Sequence, residues 1–378
     1  MNRLYDLIAE LCPDGVEYKA LKYLLSTSNA LKCIPKKNYR DSGSIPIIDQ
    51  SQPYVIAYTE DRLAIPPVLP CIIFGDHTRV VKYADQEFAQ GDSGTKVLVP
   101  IDDTLDAKYA YYAFSNLDIP SRGYNRHWTI ARDIKIPVPP IEIQRKIVNI
   151  LDNFTELTAE LTAELTARKK QYEYYRDRLL TFGDGVERMA LGDVAEIYDG
   201  THFTPKYTSS GVKFASVENI NDLFGTKKFI SHEDFAKYKI KPRLNDLIMT
   251  RIGTIGACSV IDRNEDLAYY VSLSLIRPVT KIHTKFLKYA IECSGGQKEL
   301  KRRTLVHAVP IKINLGDIGK VLIPVPPYSE QERIVSILDR FDTLCNDLSN
   351  SLPAEIKARQ KQYGYYQNKL LEFKDVVS

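Results

Sequence analysis

Residues 121–128, SRGYNRHW, pack Arg122, Tyr124, Asn125, Arg126, His127 and the only tryptophan of the chain around one glycine. Guanidinium and carboxamide groups pair with base edges two hydrogen bonds at a time, and cations neutralise phosphates, so such a loop carries chemistry suited to reading nucleic acid. An earlier turn, FGDHTRVVKY at 74–83, adds His77, Thr78 and Arg79. Farther along, YDGTHFTPKY (198–207) presents Thr201, His202 and Thr204, TRIGTIG (250–256) presents Arg251 and Thr254, and KRRTLVH (301–307) presents Arg302, Arg303 and His307. Each cluster also has a plainer reading. It is a solvated loop with half its side chains turned elsewhere, and in SRGYNRHW the tryptophan is a core aromatic.

Other chemistry finds little support. VPPY at 325–328 stands one residue short of the Asn/Asp-Pro-Pro-aromatic motif with which adenine methyltransferases hold a target amino group. Val325 supplies neither acid nor amide, the sister stretch reads VPPI, and no glycine-rich methyl-donor loop follows a strand. Acids are dispersed over helices and turns rather than clustered with a lysine around a metal. There is no GxxxxGK[ST] loop for a nucleotide. His77, His127, His202, His232, His283 and His307 are too isolated to predict a metal cluster. The expectation is therefore no catalytic residue, no cofactor and no bound metal. Six scattered cysteines fit neither a zinc site nor a secreted disulfide framework and read as reduced thiols. A net charge of +3 neither demands nor excludes a polyanionic partner. No apolar run approaches the roughly 18 residues of a membrane span, and the N-terminus lacks the pattern of a secretory signal, so a soluble, cytoplasmic protein is expected.

The elements that must position these loops come in duplicate. IPVPPIEIQRKIVNIL at 136–151 returns as IPVPPYSEQERIVSIL at 323–338, and ARKKQYEYYRDRLLTF at 167–182 returns as ARQKQYGYYQNKLLEF at 358–373. DGVEYKAL at 14–21 matches DGVERMAL at 184–191. Repeats this far apart exclude a solenoid or propeller and mean one large module, doubled. The PVPP segment exits a strand as a stiff, extended connector and a helix should follow. Ser329 with Glu332 has the capping-box spacing, while Pro140 suits an opening turn and Glu142 the positive end of the helix dipole.

Ile147, Ile150, Phe154, Leu157, Leu161, Leu165, Tyr172, Tyr175, Leu179 and Phe182 then recur at helical spacing, and Gly183 and Gly185 supply a stop. The second copy runs Ile334, Ile337, Phe341, Leu344, Leu348, Leu352, Ile356, Tyr363, Tyr366, Leu370 and Phe373, with a kink or break due at Pro353. Each helix of roughly 40 residues spans roughly 60 Å and offers a narrow apolar stripe, so the two are expected to pair antiparallel. Tyr174 and Tyr365 fall off the stripe, where they could meet a partner.

Between the frames lie regions 14–135 and 184–322, with β-rich runs such as VLPCIIF and VSLSLIRP and one helix each, DAKYAYYAF and HTKFLKYAI. Lys108, Tyr109 and Tyr112 fall where Lys285, Phe286 and Tyr289 fall. The loops do not correspond, as expected of two similar scaffolds reading two different things.

The doubled IPVPP and Q.IV.IL stretches, each followed by AR..QY.YY...LL.F and framing two dissimilar domains, resemble the specificity subunits of type I restriction-modification systems over essentially the whole chain. The resemblance implies an α+β fold with an internal pseudo-twofold repeat. It comprises a first target-recognition domain (1–135), a central connector and spacer helix (136–183), a second recognition domain (184–322) and a C-terminal connector and helix (323–378). It further implies a non-catalytic subunit that binds double-stranded DNA at a split, asymmetric site, with two methyltransferase subunits and the restriction and translocase subunits as partners. The alternative from another class is a free-standing coiled-coil adaptor that binds proteins through its two domains.

Overall fold

β-branched runs pair locally into three small sheets in each half of the chain, and the second half repeats the order of the first. The computed structural model describes residues 2–279, 281–346 and 352–376. It divides into two units, Met1–Thr162 with Glu355–Ser378, and Ala163–Ala354.

In the first unit a four-stranded antiparallel sheet has the order Leu25–Thr27, Thr95–Pro100, Cys71–Gly75, Val81–Ala84. The strand Cys71–Gly75 is buried along its whole length, as its CIIF run requires. A three-stranded sheet sets Ile45–Ile48 between Ala57–Thr59, antiparallel, and Ala89–Gln90, parallel. Tyr18–Ala20 pairs with Lys135–Pro137, so the strand leading into the connector closes against the start of the domain.

The second unit has the four-stranded order Ala195–Asp199, Leu273–Pro278, Leu247–Thr250, Cys258–Val260. Its three-stranded sheet places Val212–Ala215 between Phe229–Ile230, antiparallel, and Leu267–Tyr269, parallel. Arg188–Ala190 pairs with Leu322–Pro324. The internal repeat is thus a repeat of topology and not only of motifs.

The first long helix runs Ile141–Leu179, 39 residues and about 60 Å, with Glu142 in its first turn. It ends three residues short of Phe182, and Gly183 and Gly185 follow in the turn beyond. The second copy is two helices, Tyr328–Asn346 and Leu352–Leu370. Pro353 is the second residue of the latter. The predicted seam position Leu348 lies outside the described residues.

The capping box predicted at Ser329 is absent, because the helix already begins at Tyr328 and Ser329 is inside it. In both copies a buried glutamine ties the start of the helix to its domain. Gln144 Oε1 accepts from Asp106 N at 2.8 Å while its Nε2 donates to Thr104 O and Pro139 O at 2.8 and 2.7 Å. Gln331, its repeat mate, accepts from His283 N at 2.8 Å and donates to Lys281 O and Pro326 O at 3.1 and 2.9 Å.

Within each unit the helices pair antiparallel. In the first, the Phe154 and Tyr366 rings stack at 5.4 Å, and Ile143, Ile147 and Leu151 share a core with Leu370 and Leu371. In the second, Tyr175 stacks on Phe341 at 5.5 Å, and Tyr172 and Leu180 share a core with Ile334, Val335 and Leu338. Tyr174 and Tyr365 lie exposed, off the stripe. Each long helix is also pinned to its own domain by an aspartate: Asp152 accepts from Lys108 Nζ at 2.8 Å and Tyr112 OH at 2.5 Å, and Asp339 from Lys285 Nζ at 2.5 Å and Tyr289 OH at 2.7 Å. Burial first, then the carboxylate beside them, pushes both phenols far up. No helix among the described residues is long and apolar enough to cross a membrane.

Candidate nucleic-acid interface

In the first unit the hairpin between Cys71–Gly75 and Val81–Ala84 carries GDHTR, and the SRGYNRHW loop folds onto it. Gly75 must be glycine, since a Cβ there would strike the Thr78 hydroxyl and Gln50. Arg79 turns the hairpin at φ 64°.

The joint is Asp76. Its carbonyl accepts from His127 N at 2.7 Å and lies 3.0 Å from His127 Nδ1, and its carboxylate accepts from Trp128 N at 2.8 Å. His127 Nε2 accepts from Arg122 N at 3.1 Å, which leaves Nδ1 to carry the proton and donate. Both ring nitrogens of His127 are therefore spent inside the protein, and the residue is 1% exposed. It holds the loop and offers nothing to a ligand, which corrects the expectation that it reads a base. His77 stacks on Tyr124 at 4.5 Å and 8°, tying hairpin to loop, Thr78 Oγ1 donates to Gln50 O at 2.6 Å, and Arg79 Nη1 donates to Ile119 O at 2.8 Å. Trp128 packs on Phe74 and Phe114 at 5.8 and 6.2 Å, the core aromatic of the plainer reading. Thr78 and Arg79 remain exposed on the hairpin, and Arg122, Tyr124, Asn125 and Arg126 face solvent around Gly123 at φ 66°. Asn125 Nδ2 donates to Arg122 O.

In the second unit three segments converge on Asp199 and Arg251. The Arg251 guanidinium pairs with Asp199 Oδ1 and donates from Nε to Ile313 O at 3.3 Å, while its backbone N donates to Ser272 O at 2.9 Å. At 7% exposure Arg251 is a buried strut, which corrects its assignment as a DNA contact. Asp199 also holds His202 Nε2 at 2.8 Å and accepts from Gly200 N at 3.1 Å. Burial, then the Asp199 charge, pushes the Tyr269 phenol up as it donates to Asp199 O at 3.1 Å.

Thr201 is half-buried, its backbone bridged to Tyr269 and Val271. Arg303 is half-buried, and its Nη1 donates to Glu299 Oε2 and Glu299 O at 2.7 and 2.8 Å, closing the helix Ser294–Arg303. Arg302 meets the other Glu299 oxygen at 2.7 Å with 73% of its side chain exposed. His202, Thr204, Thr254 and His307 are exposed, Thr254 beside Gly253 at φ 81°. Sequence reasoning missed Asp76 and Asp199 as the two joints, although both sit inside the stretches quoted for their neighbours. Among the described residues no group of three or more His, Cys, Asp or Glu is placed to hold a metal ion.

Two like scaffolds, each with its own exposed donors and acceptors on glycine-turned loops, define a tandem recognition protein. The family described as "Type I restriction modification DNA specificity domain" matches at residues 13–168 and again at 183–358, and the chain belongs to it. It is 33% identical over 401 residues to the Type I restriction enzyme EcoR124I/EcoR124II specificity subunit of Escherichia coli, covering 95% of each chain. Identity is 30% over 393 residues to a putative type I restriction enzyme specificity subunit of Haemophilus influenzae, covering 95% of this chain and 96% of the relative. The crystal structure of a type I restriction-modification S subunit from M. genitalium shares the fold at TM-score 0.61 and 15% identity, over 94% of this chain and 96% of that one.

Proposed function

We propose that this chain is the sequence-specific DNA-recognition subunit of a type I restriction-modification enzyme, reading a bipartite asymmetric site. The observation that carries the reading is the repeat itself: two domains of one topology whose anchoring residues correspond while their exposed loop residues do not. A protein that needed one contact twice would repeat the loops as well. Residues 1–135 read one half-site and 184–322 the other, while the connectors and helices at 136–183 and 323–378 frame them. The candidate contacts are Arg122, Tyr124, Asn125 and Arg126 in the first domain, and His202, Thr204, Thr254, Arg302 and His307 in the second. His77, Thr78, Arg79 and Thr201 are partly committed to the fold and shape those surfaces.

The subunit is non-catalytic and cytoplasmic, and directs two methyltransferase subunits, with restriction and translocase subunits in the full complex. The adaptor reading has no observation in its favour once the family is established. The test is to map methylated adenines genome-wide with and without the gene, then with residues 14–135 exchanged for those of another such subunit. One half-site should change and the other persist; both changing together would overturn the division of labour. The purified chain alone should show no methyl transfer, yet confer a methylation specificity on its partner.

A further inference from the structure

Residues 304–311, TLVHAVPI, put aliphatic side chains into solvent where a loop ordinarily carries polar ones. Leu305, Val306 and Ile311 are exposed, and Val309 is 100% exposed. The segment is nevertheless firmly based. Leu305 N donates to Lys312 O at 2.7 Å and Ala308 N to Leu305 O at 3.2 Å, while Gly253 N donates to Ile311 O at 2.8 Å and Ile313 N to Arg251 O at 3.0 Å. Beneath it Ile313 is fully buried beside the Arg251 strut. The aliphatic tip is therefore held out by design of the backbone ladder, next to the exposed Gly253–Thr254 turn.

Exposed apolar groups gathered on one loop mark a contact site rather than scatter. Lys301, Arg302, His307 and Lys312, all exposed, surround this one, which suits a polyanion better than an apolar protein face. The edges of base pairs in the major groove offer one apolar group, the C5-methyl of thymine. The corresponding loop of the first domain presents Arg122, Tyr124, Asn125 and Arg126 instead, the equipment of hydrogen-bond readout.

Resting on the reading of the second domain as a DNA reader, we propose that the Leu305–Ile311 loop recognises A·T pairs of its half-site through the thymine methyl group. Val306 and Val309 make the contact, and Lys301 and Lys312 neutralise flanking phosphates.

The test uses the chain in complex with its methyltransferase partner, on duplexes carrying the site found by methylation mapping. The second half-site is the one that changes when residues 184–322 are exchanged. Each of its thymines is replaced in turn by uracil, which lacks only the methyl group and pairs identically. One or two positions should lose about fourfold in affinity, the worth of burying one methyl group, and uracil in the first half-site read by SRGYNRHW should not reproduce that sensitivity at Val306 or Val309 variants. In Val306→Ala/Val309→Ala the thymine and uracil duplexes should bind alike; Val309→Ser, which carries no methyl group at this fully exposed position, repeats the test without touching the core.

The proposal is overturned by no uracil effect anywhere in the second half-site, by an effect that persists in both variants, or by variants that weaken all duplexes equally, which would indicate an apolar wedge in the minor groove. Unaltered DNA binding with loss of a protein partner would also overturn it and make the loop a protein contact. In every one of these the complex still prefers its mapped site over other duplexes. Loss of that preference in the wild type would instead strike the DNA-reading function itself.

Discussion

Arg251 and His127 are the kinds of side chain a DNA-reading loop needs, and each lies in a glycine-containing stretch. Their partners, however, come from far along the chain: Asp76 is 51 residues from His127, and Asp199 is 52 from Arg251. A buried donor must find an acceptor or forfeit its hydration, so whichever polar residue the fold encloses becomes a strut. No local pattern announces which one that is. This separates two kinds of variant. His127→Ala and Arg251→Ala should each lower the unfolding free energy by about 1–3 kcal/mol, read from urea midpoints, because each strands buried partners. Arg126→Ala should leave stability within about 0.5 kcal/mol and cost about 1–3 kcal/mol of binding at one base pair, or act uniformly across sequences if it touches phosphate. A His127→Ala protein as stable as wild type but altered in base preference would reverse the assignment.

The elements were legible wherever their signal lay within one turn or one strand. The doubled Q.IV.IL announced two helices, but the role of its glutamine emerged only when Gln144 and Gln331 closed corresponding loops by corresponding bonds. Where helix meets domain, the copies part company. In the first unit the positions around Gln367 are neutral: Gln367 Nε2 donates to Tyr112 O and Ser115 Oγ at 3.4 and 3.3 Å, and Tyr111 packs against Tyr83 at 5.9 Å. In the second the corresponding positions are Arg176, Lys288, Glu292 and Asp342, all charged, with Lys288 and Asp342 at 3.8 Å. Glu292 accepts from Cys258 N at 2.9 Å, and burial is the main cause that raises its carboxyl above the ordinary 4.5.

A carboxyl raised in the folded state contributes stability that is fully present below the unfolded value and is lost as pH rises through the folded value. Glu292→Gln keeps an acceptor for Cys258 N and removes the titration. The variant should therefore match wild type at pH near 4 and exceed it in urea midpoint at pH near 8. Midpoint curves that run parallel across that range would show that the junction holds Glu292 charged without penalty.

For the whole molecule, the offsets between repeated stretches already implied a doubled scaffold, and the sheets repeat strand for strand because the same short runs pair in the same order. The loops defied reading for the complementary reason: nothing in a scaffold's own stability dictates them, so they differ freely. One feature of the chain bears on metric rather than on contact. TAELTAEL at 158–165 repeats one helical turn in the middle of Ile141–Leu179, a helix shared by both units. Its threonines are satisfied within the helix, Thr158 Oγ1 on Phe154 O at 2.8 Å and Thr162 Oγ1 on Thr158 O at 2.7 Å, and Leu157, Leu161 and Leu165 keep one half-buried stripe. An extra TAEL would bring its own hydroxyl partner and its own stripe residue. Four residues are close to one 3.6-residue turn, so the seam would stay nearly in phase and take up the insertion as a stutter. The addition lengthens the helix by about 6 Å at about 1.5 Å per residue, against about 3.4 Å per base pair of DNA. Duplicating Thr158–Leu161 should therefore widen the gap between the half-sites by one to two base pairs, and deleting it should narrow the gap equally, with both half-site sequences unchanged in the methylation map. A folded, active variant with an unaltered gap would reduce TAEL to helix-forming filler, and one with altered half-sites would mean that the helix, and not the loops alone, sets what each domain reads.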